Sequence, residues 1–207
     1  MKPTQELMQE HRAIERMLGI LSEACDRIEA GEKVDPSHLE SAVEFIRVFA
    51  DKCHHGKEED LLFPAMVKAG IPKEGGPIGA MLAEHTRGRE LVKGLADAIP
   101  AYRADEPEAR QEVVRNARGY VYLLGPHIHK EDFILYPMAD RVLRPAIQDY
   151  LSKAFAKVED EIVGHGVHER FHKLLDDLEA LYETAPNQAG NLEIIDANVE
   201  SVRPSHY

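Results

Sequence analysis

Tryptophan is absent from this 207-residue sequence, cysteine occurs only twice, and no apolar run approaches the length of a membrane span. Cys25 and Cys53 are too few for a disulfide framework, which favours a reducing compartment. A membrane-spanning helix needs about 18 or more consecutive apolar residues, and the N-terminus lacks the apolar centre of a secretory signal. We therefore expect a cytoplasmic protein with no membrane partner.

Basic residues are also scarce, because 25 Lys and Arg face 37 Asp and Glu, for a net charge of −12. Nucleic-acid binding requires a basic footprint, so this partner class is excluded. With 43% hydrophobic residues the chain can bury one core with an appendage. The unusual abundance is histidine, of which there are 11.

A His-x-x-x-Glu motif occurs twice, at His54 and Glu58 and again at His127 and Glu131. On a helix this spacing places both side chains on one face. Imidazole and carboxylate together suit iron, manganese or zinc better than calcium or magnesium. The repeat therefore predicts a metal held between helices.

Apolar residues spaced by three and four predict long helices over residues 4–28, 36–69, 78–99 and 108–142, the last kinked at Gly125-Pro126, with a polar linker at 100–107. Shorter helices are predicted at 146–163 and 167–182. We expect an all-α fold, an up-down-up-down antiparallel four-helix bundle with two additional C-terminal helices. The predicted divisions are the bundle (1–143), a C-terminal helical extension packed on it (144–185) and a polar tail (186–207), in which 192–202 is a candidate strand.

Each long helix carries a histidine within its apolar stripe, and two helices add a glutamate. Unpaired buried carboxylates are costly, and a metal removes that cost. The predicted metal ligands are His11, His54, Glu58, His85, His127 and Glu131. The pair His55 and Glu59 has the same spacing as His54 and Glu58 but is rotated by one residue. We prefer His54 and Glu58, which match the second copy of the motif, and the alternative stays open.

Four segments resemble the hemerythrin-like, or HHE cation-binding, family: Glu10-His11, residues 54–59, Glu84-His85 and residues 127–131. The resemblance covers about residues 4–142. It implies a non-haem centre of two iron ions, for which zinc or manganese are substitutes. It also implies that His11, His54, His85 and His127 are terminal ligands and that Glu58 and Glu131 bridge the ions.

The sequence departs from the oxygen-carrying members of that family at Arg89, where they have a second histidine on the third helix. The resemblance then implies that one ion has fewer protein ligands. Asp132 competes with Glu131 as the bridge, and Glu131 is favoured because it lies about 40° around a helix from His127, against about 140° for Asp132. Glu15 and Tyr120 are candidate hydrogen-bond partners of the ligands. His168 or His172 is a hypothetical additional ligand or proton relay.

The resemblance implies a protein that binds O2, peroxide or NO at the metal centre, in oxidative or nitrosative stress or in iron homeostasis. The alternative is a non-enzymatic iron or oxygen sensor or an iron-buffering module, and a third is a structural zinc or manganese site. Whether the chain is an enzyme, and whether it forms a homodimer, the sequence leaves open. Cys53, beside His54, is interpreted as inert packing.

Overall fold

The computed structural model describes residues 1–160, 164 and 166–182, and the regular secondary structure of these residues is entirely helical. The prediction of an all-α protein is therefore confirmed. The predicted tail and its candidate strand lie outside the described residues, as do residues 161–163 of the helix predicted at 146–163. No helix in the described part is long and apolar enough to cross a membrane.

The helices run in the order α1 Pro3–Glu29, α2 Pro36–Phe45, α3 Phe63–Lys68, α4 Pro77–Arg103, α5 Ala109–Lys130, α6 Tyr136–Val142, α7 Pro145–Val158 and α8 Val167–Tyr182. Two π-helical segments, Ile46–His55 and Glu58–Leu62, lie between α2 and α3, and a third, Glu131–Leu135, joins α5 to α6. Asp35 caps α2 by accepting a hydrogen bond from the Ser37 amide (2.8 Å). Wide π turns are rare and often occur at functional sites. Here they coincide with both His-x-x-x-Glu motifs.

Two prolines interrupt the helices less than the sequence indicates. The predicted linker begins at Pro100, but α4 continues through this residue to Arg103. Tyr102 explains the extension, because it is buried and its hydroxyl both donates to and accepts from the Val34 backbone (3.1 Å each). α5 likewise passes through Pro126, and the helix widens only after it, at Glu131–Leu135.

The buried apolar residues form two clusters. The larger cluster contains residues from α1, α2, α4 and α5, together with Phe171, Leu175, Leu178 and Tyr182 of α8. The smaller contains Leu7, Phe63, Ile78 and Tyr136, together with Leu151 and Phe155 of α7. Along the chain, the buried histidines and glutamates fall between residues of one cluster and residues of the other.

α8 is held against α1 by ion pairs as well as apolar contacts. The guanidinium of Arg16 donates to Glu179 (2.8 and 2.6 Å). Arg27 donates to the Tyr182 carbonyl (2.8 Å) and lies over the Tyr182 ring. The C-terminal helix is thus fixed along the helix that carries His11.

α4 and α5 approach closely at Gly94. A methyl group on Gly94 would lie 2.3 Å from Oδ1 of Asn116, whose amide donates to the Glu112 carbonyl (2.8 Å). Gly94→Ala should therefore displace this amide and lower the free energy of unfolding by about 1–3 kcal/mol, measured by urea denaturation. Gly19→Ala is the control, because Gly19 is exposed on α1 with open space around it, and it should stabilise by about 0.5–1 kcal/mol. Equal effects of the two substitutions would contradict the close contact.

Candidate metal centre

The structure brings the six predicted ligands into one cluster, in which no residue exposes more than 1% of its surface. Its members are His11, His54, Glu58, His85, His127 and Glu131. Nε2 of His11 is 3.2 Å from Oε2 of Glu131, and Nε2 of His127 is 3.3 Å from Oε1 of the same carboxylate. Glu131 therefore lies between the imidazoles of α1 and α5.

Glu58 occupies the corresponding place between the second and third long helices. Its Oε2 is 3.5 Å from Nε2 of His85 and 3.8 Å from Nε2 of His54, and its Oε1 accepts a hydrogen bond from the Tyr136 hydroxyl (2.7 Å). The Nε2 atoms of His85 and His127 are 3.1 Å apart. Two ring nitrogens at this separation face the same small volume, which suits a shared cation.

His55 joins this cluster, although the sequence favoured His54 in its place. His55 is buried, and its ring stacks on that of His85 with 3.9 Å between the centroids. One ring nitrogen from each of His55, His85 and His127 lies within 4.8 Å of the other two, a spacing that could hold a metal ion. Both histidines are buried, and they lie in a π-helical segment, whose wider turn separates adjacent side chains by a smaller angle than an α-helix does. Glu59 instead lies outside the cluster. The structure therefore brings both His54 and His55 to the cluster.

Four carboxylates surround the cluster in a closed ring. Each of the first three contacts a histidine of the next long helix along the chain, and the fourth, on the last long helix, contacts the histidine of the first. Glu10 of α1 contacts His54 (2.8 Å), and Glu59 contacts His85 (2.7 Å). Glu84 of α4 contacts His127 (2.8 Å), and Asp132 closes the ring on His11 (2.7 Å). In every pair the histidine atom is Nδ1.

This ring places an acceptor at Nδ1 of each of the four histidines. When the imidazole is neutral, a carboxylate that accepts from Nδ1–H leaves the lone pair on Nε2, which points into the cluster. Such outer carboxylates also hold the ring plane and raise the basicity of a metal ligand. The sequence carried a signal for them, because each is adjacent to a predicted ligand: Glu10 to His11, Glu59 to Glu58, Glu84 to His85, and Asp132 to Glu131.

The predicted partners Glu15 and Tyr120 do not serve the ligands in this way. Glu15 pairs with Arg12 at the surface (2.9 Å), and the Tyr120 hydroxyl has no hydrogen-bond partner among the described residues. Asp132, weighed against Glu131 as a bridge, is instead the outer partner of His11 and is paired with Arg12.

The inner carboxylates lack the partners that buried charges require. Oε2 of Glu58 and both oxygens of Glu131 are buried without a hydrogen bond in the described part of the chain. Burial raises the pKa of Glu58 well above its ordinary value, and the neighbouring Glu131 raises it further. Burial also acts to raise the pKa of Glu131, but the imidazoles of His127 and His11 outweigh it and hold that pKa well below its ordinary value. Buried polar groups of this kind call for an explanation such as an ion.

The donor set fits metal ions. The ligand atoms of His11, His54 and Glu131 lie within 4.8 Å of one another, and so do those of Glu58, His85 and Glu131. Two adjacent groups that share a carboxylate can hold two ions, and imidazole with carboxylate suits iron, manganese or zinc.

Arg89 binds Asp51 (2.7 Å) and Glu59 (2.8 Å) on the outside of the cluster. The imidazole of His55 lies beside those of His85 and His127 and offers a further candidate ligand on that side.

His168 and His172 are both outside the cluster. His172 is exposed, and His168 lies near Glu10, Cys53 and Glu159, with Nε2 3.9 Å from Oε1 of Glu159. Glu10, Cys53, Glu159 and His168 form a second group beside the cluster. The buried ammonium of Lys57 supplies positive charge to this group, because it is 2.5 Å from Glu10 and 2.6 Å from Glu159. Burial raises the pKa of the Cys53 thiol to about 12, so the free thiol keeps its proton at neutral pH.

Removing one carboxylate of the ring should weaken metal binding without unfolding the chain. Asp132→Asn keeps the shape but loses the charge that orients His11, and we expect metal affinity to fall by about 10- to 100-fold in a chelator competition. Glu15→Gln removes a surface carboxylate four residues from His11 and should leave the affinity unchanged. Equal affinities in both variants would show that Asp132 does not act through His11.

Comparison with known proteins agrees with this geometry. Residues 2–139 match the hemerythrin HHE cation binding domain. Uncharacterized proteins of Mycobacterium tuberculosis and Mycobacterium bovis are each 27% identical over 167 residues, covering 81% of this chain and 62% of theirs. The iron-sulfur cluster repair protein YtfE of Musicola paradisiaca is 31% identical over 136 residues, covering 63% of this chain and 60% of its own. No solved structure matches.

The chain spans about three fifths of the length of these curated relatives. The family match nevertheless covers every residue of the buried histidine and glutamate cluster. The protein therefore belongs to the hemerythrin HHE cation-binding domain family.

Proposed function

We propose that this chain holds two iron ions, with zinc or manganese as substitutes. His11 and His54 hold one ion, His55, His85 and His127 hold the other, and Glu58 and Glu131 bridge them. The observation that carries this proposal is the pair of fully buried carboxylates whose inner oxygens lack hydrogen bonds while five imidazoles lie around them. Bound iron would supply reversible binding and redox chemistry for a small oxidant such as O2, peroxide or NO.

The proposed scaffold is an up-down-up-down four-helix bundle over residues 1–143. Its support is the order in which each long helix meets the two apolar clusters. Along the chain, the first and third long helices begin in the smaller cluster, at Leu7 and Ile78, and end in the larger one. The second and fourth begin in the larger cluster and end in the smaller one, at Leu62 and Leu135. This alternation, together with the closed carboxylate ring, fits antiparallel neighbours. Residues 144–185 form the proposed C-terminal extension.

The proposed physiological role is the handling of small oxidants in oxidative or nitrosative stress, or in iron homeostasis. The similarity to a protein described as an iron-sulfur cluster repair protein supports this role. So does the burial of the cluster, because a dry site keeps a reactive ligand away from competing reactions. The chain's own residues bind the ions, orient the imidazoles through Nδ1 and exclude water.

A second candidate is a non-enzymatic iron or oxygen sensor, or an iron-buffering module. The observation that favours it is a polar connection from the centre to the C-terminal helices. Glu10 contacts His54 through one oxygen and Lys57 through the other, and Lys57 contacts Glu159 just beyond α7. A change at His54 would reach the C-terminal extension through two side chains.

The test of the proposed function is the metal content per chain after anaerobic purification, followed by absorption spectra as air is admitted. About two irons per chain and a near-ultraviolet band on oxidation support the proposal. A single zinc or no metal, with a featureless spectrum, overturns it. Steady consumption of peroxide or NO then favours an enzyme, whereas altered hydrogen exchange in residues 145–182 without turnover favours the sensor.

A further inference from the structure

A cavity of about 280 Å³ lies between the π-helical segment Ile46–His55 and α4, with Tyr120 of α5 in its wall, and reaches the cluster at His55. Its inner wall contains His55, Tyr120 and Gly88, with Ile46 and Val92 beside them. His55 is the one candidate ligand that lines this cavity in the described part of the chain. The cavity is therefore a route from the surface to the imidazole of His55, a proposed ligand of one ion.

Tyr120 is the unexplained polar group of this wall. The side chain is 2% exposed, and its hydroxyl has no hydrogen-bond partner among the described residues. Burial raises the pKa of this phenol well above its ordinary value, and Asp51 raises it further, so the hydroxyl keeps its proton. A buried hydroxyl without a partner is uncommon and costly. A ligand in the cavity would provide the missing acceptor.

Gly88 determines how much space remains in front of Tyr120. A methyl group on Gly88 would meet ring carbon Cε2 of Tyr120 at 3.5 Å, an ordinary contact distance. A larger side chain at this position would fill the space beside the ring. Gly88 is thus a position at which a larger side chain can narrow the cavity without first displacing backbone.

Charges at the mouth of the cavity are balanced. The basic residues on the rim are Arg47, Arg89 and Lys93, and the acidic residues on or beside it are Asp51, Glu59 and Asp97. Arg89 bridges Asp51 and Glu59, and Lys93 pairs with Asp97 at 2.5 Å. Three basic and three acidic side chains lie at this rim, so it has little net charge with which to select a charged ligand, and it suits an uncharged one.

We propose that this cavity is the binding chamber for a small, uncharged, hydrogen-bond-accepting ligand of the O2, NO or hydrogen peroxide class, and that the Tyr120 hydroxyl donates the hydrogen bond that retains it. This inference rests on the proposed function and specifies where its ligand binds. Tyr120 acts as a ligand-binding residue, and Gly88 sets the size limit.

The test is stopped-flow binding of NO to the reduced, iron-loaded protein. Tyr120→Phe keeps the ring and removes the donor, so NO should dissociate about three- to tenfold faster, the factor expected for one neutral hydrogen bond. Tyr122→Phe is the matched control, because Tyr122 lies on the same helix and is 70% exposed. Gly88→Val should slow association by about tenfold or more, with Gly88→Ala giving a smaller effect in the same direction, and iron content should be unchanged in all variants.

A measurement that needs no iron chemistry accompanies the kinetics. Xenon enters dry protein cavities. The NMR chemical shift of dissolved xenon should therefore change when wild-type protein is added, and it should change less when the Gly88→Val variant is added. If wild-type protein binds NO and all variants match it in rate and xenon response, the chamber is disproved and the proposed function stands. If iron-loaded wild-type protein binds none of NO, O2 and peroxide, the proposed function fails as well.

Discussion

Glu58→Gln should remove at least one of the two proposed metal ions per chain and leave the metal-free fold as stable as the parent or more so. Gln keeps the oxygen that accepts from Tyr136 (2.7 Å) but loses the charge on the buried, unpartnered Oε2. A bridging ligand without charge holds a divalent ion poorly. Without metal, a neutral group at a fully buried position avoids the cost of burying a carboxylate, a gain of about 1–4 kcal/mol in comparable replacements of buried charges.

Metal content by mass spectrometry, with urea unfolding of the metal-free and metal-loaded forms, measures both halves of this prediction. Asp60→Asn is the matched control, since Asp60 is exposed two residues away. Two ions bound to Glu58→Gln would show that Glu58 is not a ligand. A loss of several kcal/mol in the metal-free form would show instead that Glu58 supports the fold independently of metal.

Much of the fold follows from the period of the apolar residues. The residues around Leu7, His11 and Ile14 illustrate why: a polar residue within an apolar stripe of period 3.6 must face the core, and His11 does. The same reasoning places His54, His85 and His127 inward. The positions of the four long helical runs and the burial of the polar cluster therefore follow from the local pattern.

The choice between His54 and His55 could not be made in that way. An α-helix turns about 100° per residue, which places only one of two adjacent residues at the centre of the inner face, whereas residues 46–55 are π-helical and both rings are buried. A π turn is stabilised by tertiary contacts and leaves no period of its own in so short a stretch. The doubled histidine, together with the missing third-helix histidine at Arg89, was the available signal.

The outer carboxylates were missed for a different reason. Every member of the ring contacts a histidine on another helix, so its partner depends on which helices are neighbours and on their register. Glu10 lies next to His11 in the sequence yet contacts His54, 44 residues away. A sequence offers the adjacent residue as the natural partner, and only the packed structure reveals the correct one.

Lys57→Met should produce the largest loss of stability outside the ligands. The ammonium of Lys57 is fully buried between Glu10 (2.5 Å), Glu159 (2.6 Å) and Glu6 (2.9 Å). Burial alone would lower its pKa, but these carboxylates outweigh it and raise the pKa, so the group is charged. Removing one partner of a buried ion pair costs about 3–5 kcal/mol, because the remaining charge is left uncompensated. Urea unfolding measures this loss.

Metal binding should weaken as well, since Glu10 is shared between Lys57 and Nδ1 of His54. Without the ammonium, Glu10 loses the contact that holds its carboxylate against His54, and affinity should fall by about 10- to 100-fold. Lys52→Met, at an exposed position on the same helical run, is the control for the loss of a positive charge. Adding Glu10→Gln to Lys57→Met should recover part of the stability, because it removes the uncompensated charge, while the metal affinity stays low. A Lys57→Met variant as stable as Lys52→Met would show that the three carboxylates do not depend on this ammonium.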